Sequence, residues 1–113
     1  MSKRQPKLLL EDILDSAEKI IFYTQSLTYP EFIADSKTID AVIRNFEIIG
    51  EAANRLPEEL KDGNTEIDWH KMRGLRNRIV HGYFGINYSI IWSIKEDYLA
   101  GLIEQIRGLL NNY

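Results

Sequence analysis

Residues 73 to 83 read RGLRNRIVHGY, and this run gathers the chain's best candidates for phosphate and proton-transfer chemistry. Arg73, Arg76 and Arg78 carry planar guanidinium groups, which suit a phosphate better than an ammonium does because two N–H donors can meet two oxygens. His81 titrates near neutrality and can pass a proton either way. Asn77 lies four residues before His81, within reach on a helix, and can orient its ring. Tyr83 adds a phenol two residues later. Each has an ordinary reading as well. A histidine at a helix end often caps carbonyls, helical arginines often pair with carboxylates such as Glu11, Glu47 or Glu51, and Tyr83 fits a core or interface. The combination is more informative than its members.

At 100° per residue, Leu75, Ile79, Val80 and Tyr83 fall in an arc around Met72, and Arg76 lies inside it at about 40°. A guanidinium facing a core needs a carboxylate or an opening where an anion can enter, because an unpaired buried charge costs several kcal/mol. Arg73, Asn77 and His81 form a separate line at four-residue spacing. Near a helix end at Gly82, the negative end of the helix dipole favours imidazolium and would hold the His81 pKa near or above about 6.5. Five steps separate Arg76 from His81 by about 140°, so on a regular helix they diverge. Either the helix loosens before His81, or Arg76 of one chain works beside His81 of another.

The elements that position this run read as helices. A stripe of Leu10, Ile13, Leu14, Ala17, Ile20, Ile21 and Leu27 predicts a first helix over about 7–27. A second begins near Pro30 or Asp35, carries Ile39, Val42, Ile43, Phe46, Ile49, Ala53 and Leu56, and stops at Pro57. Residues 57–68, PEELKDGNTEID, hold at most one helical turn before a loop. Asp68 is an N-cap for a third helix from Trp69 to about His81, and Asn87 caps a last one from Tyr88 to about Asn111. That last segment shows a second apolar line, Trp92, Leu99, Ile103 and Leu110, which predicts a further buried contact such as a homodimer interface. Gly50, Ala52 and Ala53 read as a site of close helix packing, and Glu51 as a possible partner for an arginine of the third helix. The expected architecture is an all-α, antiparallel four- to five-helix bundle forming one domain over 1–113.

The 113 residues carry a net charge of −3, unevenly placed. From 69 to 95 there are five cations and no acid, giving +5 against −8 elsewhere, and both His70 and His81 fall in this window. Trp69, Tyr83, Phe84, Tyr88 and Trp92 interleave with the cations, a mixture suited to phosphates and stacked bases. His70 reads as a surface residue. With no cysteine there is neither a disulfide framework nor a thiolate zinc site. No apolar run is long enough to span a bilayer and no secretory signal is visible, so the expected location is the cytoplasm.

Residues 76–83, RNRIVHGY, match R-x4-H-x-Y, and the chain resembles the HepT-like group of HEPN-domain ribonuclease toxins. EFIADSKTIDAVIRNFEIIGEAANRLPEEL at 31–60 and IDWHKMRGLRNRIVHGYFGIN at 67–87 extend the likeness over nearly the whole length. The resemblance implies a dimerising all-α bundle whose two motif copies meet in a cleft across the two-fold axis, with the possibility of higher oligomers. It implies metal-independent endoribonuclease activity with no cofactor, Arg76 and His81 being catalytic and Asn77 the polar residue after the motif arginine. It implies a toxin–antitoxin pair of type VII character, in which an MntA-type nucleotidyltransferase silences the toxin by adenylylating Tyr83.

The residues fit that chemistry. RNA supplies its own nucleophile, the 2′-hydroxyl, so cleavage needs a base, an acid for the leaving oxygen and positive charge at phosphorus. His81 would be the base or acid and Arg76 the phosphate stabiliser, with Arg73, Asn77 and Arg78 in support. Adenylate on Tyr83 would add charge and bulk where RNA should lie. A different reading makes the chain a non-catalytic helical subunit that binds and regulates a nucleotidyltransferase or a nucleotide. A third makes it a dimerisation module alone.

Overall fold

The computed structural model describes residues 4–79 and 87–113, with backbone alone at Arg76. Eight helices occur among them: α1 (Pro6–Thr24), α2 (Tyr29–Ile33), α3 (Ser36–Arg55), α4 (Glu58–Asp62), α5 (Trp69–Arg73), α6 (Leu75–Ile79), α7 (Tyr88–Asp97) and α8 (Leu99–Leu110). The bundle is all-helical, as the periodicity predicts. α1 packs most extensively on α3 and also on α8, while α5 and α6 lie against α3 and α7 against α6 and α8. The shared core includes Leu10, Ile13 and Ile20 of α1, Val42, Phe46 and Ile49 of α3, Met72 and Leu75, and Leu102 and Ile106 of α8.

Polar caps set where several helices start. The Thr28 hydroxyl accepts from the Glu31 N–H, and Glu31 returns a bond to the Thr28 N–H, forming a capping box on α2. Asp35 caps α3 by accepting from the Thr38 N–H at 3.2 Å and from its hydroxyl at 2.7 Å. Asp68 accepts from the Lys71 N–H, and Asn87 from the N–H groups of Ser89 and Ile90. The caps at Asp68 and Asn87 fall where the sequence places them, and α3 starts at Asp35, one of the two starts expected.

The carboxylates of Glu31 and Asp35 titrate with folding. The Thr28 N–H and then its hydroxyl hold the Glu31 carboxyl below its ordinary range; the Thr38 hydroxyl and then its N–H do the same for Asp35. A depressed folded pKa gives stability that is complete above the unfolded value and is lost as pH falls through the folded one. Asp35→Asn should therefore lower the melting temperature near neutrality and flatten its decline between about pH 5 and pH 2. Thermal melts of both proteins across that range test this; parallel curves would contradict it.

Several segments differ from the expected ones. The first helix ends at Thr24, whose hydroxyl donates to the Ile20 carbonyl at 2.8 Å, and the chain turns at residues 25–26. The third segment is two short helices divided at Gly74, whose N–H still donates to the His70 carbonyl at 3.0 Å. The last segment is distorted at Tyr98 (φ −119°, ψ −40°), although bonds from Tyr98 N–H to Ile94 and from Leu102 N–H to Tyr98 carry the helix through. Burial pushes the Tyr98 phenol well above its usual range, with the negative Asp68 adding to the effect, and its hydroxyl finds no partner among the described residues. Lys71 Nζ sits 4.9 Å from the centre of its ring.

The second apolar line of the last segment requires no outside partner. Leu99 and Ile103 are buried within this chain and Leu110 is packed on its core, α8 lying against α1, while Trp92 of α7 is packed against α2. Surplus apolar surface on this helix is therefore not an argument for a dimer. Lys61, read as part of a polar loop, is buried instead: its ammonium donates to the Ala53 carbonyl at 3.2 Å near the end of α3 and meets Glu58 at 3.3 Å.

Candidate functional site

α5 and α6 carry the part of the motif run up to Ile79 along one side of α3. Gly50 permits this approach, since a Cβ there would lie 3.1 Å from the Met72 carbonyl oxygen and 3.8 Å from that of Arg73. The expectation of close packing at Gly50 is thus met at the point where α3 crosses α5. Met72, Leu75 and Ile79 are buried, as the arc predicts. Beyond Ile79, the Asn87 N–H donates to the Ile79 carbonyl at 3.1 Å, so the start of α7 returns to the end of α6. His81 and Tyr83 lie between these points, outside the described residues, as does the Arg76 side chain.

The described neighbours of Arg76 converge on a groove. Arg73 and Asn77 line an open cleft of about 460 Å³ between α1, α3 and α5–α6, whose base includes Leu9, Ile48, Gly50 and Ala52. Their four-residue spacing survives the division at Gly74 well enough for both to face the same opening. Arg78 is exposed and does not line it. The acidic side chains in the cleft are Asp12, Glu47 and Glu51. Glu51 meets Arg55 at 3.6 Å, one turn along α3, and Arg73 reaches Glu58 at 4.0 Å, so the predicted pairing of Glu51 with the third segment is not the one formed with Arg73.

Part of the aromatic and basic inventory serves the fold. Trp69 is buried and its indole N–H donates to the Asn64 carbonyl at 3.0 Å, which removes it from any stacking surface. Trp92 packs on Phe32 (5.1 Å between centroids) and edge-on to Tyr29 (5.9 Å). Lys95 lies over the Trp92 ring at 4.0 Å and meets Glu96 at 3.1 Å. Of the five cations in the basic window, Lys71 and Lys95 are thus engaged with rings, whereas Arg73 and Arg78 are exposed. Tyr88 and His70 are exposed, the latter as expected.

On the outer face of α3 the sequence singles out Glu47 and Glu51 as partners for arginines, but not the basic residues beside them. Arg44, Asn54 and Arg55 line the same cleft as Arg73 and Asn77. The signal was present in the spacing: eleven residues are just over three full turns, so Arg44 and Arg55 differ by only about 20° around the axis. Among the described residues, no group of three or more His, Asp or Glu side chains is arranged to hold a metal ion. Likewise, no described helix is long and apolar enough to cross a membrane.

Comparison with known proteins agrees with the motif. The sequence model of the family described as Ribonuclease HepT-like matches residues 13–109. The chain belongs to the HepT-like family. A relative from Thermococcus cleftensis named "Probable ribonuclease HepT" is 40% identical over 108 residues, covering 93% of this chain and 98% of its own. Two proteins of Methanocaldococcus jannaschii, named as candidate RNases, are 39% identical over 112 residues (99% of this chain, 93% of theirs) and 45% identical over 98 residues (86% and 90%). No solved structure matches the chain significantly. Within this HepT-like chain, the family match spans α3, α5, α6 and the R-x4-H-x-Y run together.

Proposed function

We propose that this HepT-like protein is the toxin of a two-component pair, an endoribonuclease that cuts RNA without a metal ion, working as a homodimer in the cytoplasm. The observation that carries the reading is the family match over residues 13–109, within which Arg76, His81 and Tyr83 hold the motif positions. In the proposed reaction His81 takes the proton of the RNA 2′-hydroxyl. The freed oxygen attacks the adjacent phosphorus to give a 2′,3′-cyclic phosphate, and the 5′-oxygen of the next nucleotide leaves, taking its proton from water. Arg76 neutralises charge on the phosphoryl oxygens as the bond order changes. Arg73, Asn77 and Arg78 lie on the segment that delivers these groups and support substrate binding.

On the helix α6 the residues from Leu75 to Ile79 keep regular geometry, with the Arg78 N–H bonded to the Gly74 carbonyl at 3.0 Å. The division at Gly74 therefore precedes Arg76 and does not shorten its path to His81. On a regular helix the two groups diverge by about 140°, so Arg76 of one protomer is proposed to act beside His81 of its partner. The silencing partner is a nucleotidyltransferase that transfers adenylate to Tyr83.

Incubating the purified protein with end-labelled RNA in excess EDTA tests the activity. Cleavage fragments are expected. Intact RNA in the presence of folded protein would instead support a regulatory subunit that binds a nucleotidyltransferase or a nucleotide without breaking any bond.

A further inference from the structure

α3 presents two arginines to the same cleft as the motif segment, and neither belongs to the motif. Arg44 and Arg55 stand about 16 Å apart along the axis, with Asn54 beside the second. Arg73 and Asn77 enter from the opposite wall. The guanidinium groups of this cleft are weakly held. Arg55 meets Glu51 only at 3.6 Å and Arg73 meets Glu58 only at 4.0 Å, both between well-exposed side chains, while Arg44 has no carboxylate within 4.0 Å among the described residues. Exposed pairs of that geometry contribute little, so a stronger anion displaces them at little cost. Arg4 differs: it holds Asp12 through two bonds of 2.7 and 3.0 Å and thereby occupies one of the cleft's acids.

We infer that this cleft is a binding track for single-stranded RNA, in which Arg44 and Arg55 hold phosphates of the strand flanking the scissile bond and Asn54 and Asn77 face its bases. The inference rests on the ribonuclease reading for its orientation, since Asn77 adjoins Arg76, but not for the binding itself. A phosphate offers each guanidinium paired, charge-assisted bonds that the long pairs with Glu51 and Glu58 lack. The spacing of Arg44 and Arg55 spans several nucleotides of one strand, at about 3.4 Å per stacked nucleotide. Glu47 and Glu51 leave the cleft near neutrality overall, so its affinity arises from directed arginine contacts, and a broad positive field is not required.

The test uses the full chain and a fluorescent 2′-O-methyl RNA strand, which lacks the attacking hydroxyl and so stays intact. Anisotropy titrations at several salt concentrations compare wild type, Arg44→Ala/Arg55→Ala and Arg44→Lys/Arg55→Lys. The alanine pair should weaken binding at least about tenfold. The slope of log affinity against log salt should shrink by about 1.4, from two lost contacts at about 0.7 each, while the lysine pair keeps most of both. With a cleavable strand the alanine pair should raise KM and leave kcat unchanged. Unchanged affinity and salt slope in the alanine pair would overturn the inference, as would tighter binding of a duplex of the same sequence. A protein that binds in this way but does not cleave would preserve the inference and remove the ribonuclease reading, so the two can fail separately.

Discussion

His81→Ala is expected to reduce RNA cleavage by about two to four orders of magnitude, the usual contribution of a positioned acid–base group. The imidazole is the one side chain in the motif that can both take and return a proton near neutral pH. Alanine leaves the phosphate-binding arginines in place, so RNA affinity should change little while turnover collapses. Added imidazole should restore part of the rate, because the small molecule can enter the space the ring vacates. In cells, expression of the wild-type chain without its partner should slow growth, and the variant should not. Full cleavage by a folded His81→Ala protein would show that another group moves the proton.

Modification of Tyr83 should be as damaging as loss of His81. In the proposed transfer the phenol oxygen attacks the α-phosphorus of ATP, pyrophosphate leaves, and the phenol proton is lost. The product carries a negative phosphodiester and a nucleoside two residues from His81. RNA brings phosphates of the same sign to that position, so repulsion and bulk both oppose its binding. Co-expression with the nucleotidyltransferase should therefore yield protein whose mass includes adenylate at Tyr83 and whose cleavage is lost. Tyr83→Phe should cleave whether or not the partner is present. A silenced complex containing unmodified Tyr83 would identify obstruction by the partner as the mechanism.

Helices and their starts were legible because both depend on residues close in sequence. The three- and four-residue apolar spacing of α3 buries Ile39, Val42, Phe46, Ile49 and Ala53, and a carboxylate at Asp35 needs only the N–H three residues on to act as a cap. The division at Gly74 and the distortion at Tyr98 were not legible. Each preserves bonds to the carbonyl four residues back, so the apolar period continues across it without a polar interruption. The fates of Trp69, Trp92 and Lys61 depended on what other segments cover. Period alone cannot distinguish an indole that closes the core from one that stacks on a base. The cleft was half legible. Arg73 and Asn77 share a line on their own segment, but the opposing wall of Arg44, Asn54 and Arg55 is created by the approach of α3 to α5 at Gly50.

The central claim is that Arg76 and His81 form one RNA-cleaving site across a dimer. Arg76→Ala and His81→Ala proteins, each inactive alone, can be mixed in equal amounts and allowed to exchange subunits. In a mixed dimer one of the two sites then contains both intact groups, so about a quarter of wild-type cleavage should return, half the dimers being mixed and half their sites complete. A mixture that exchanges subunits yet remains as inactive as its components would contradict the account.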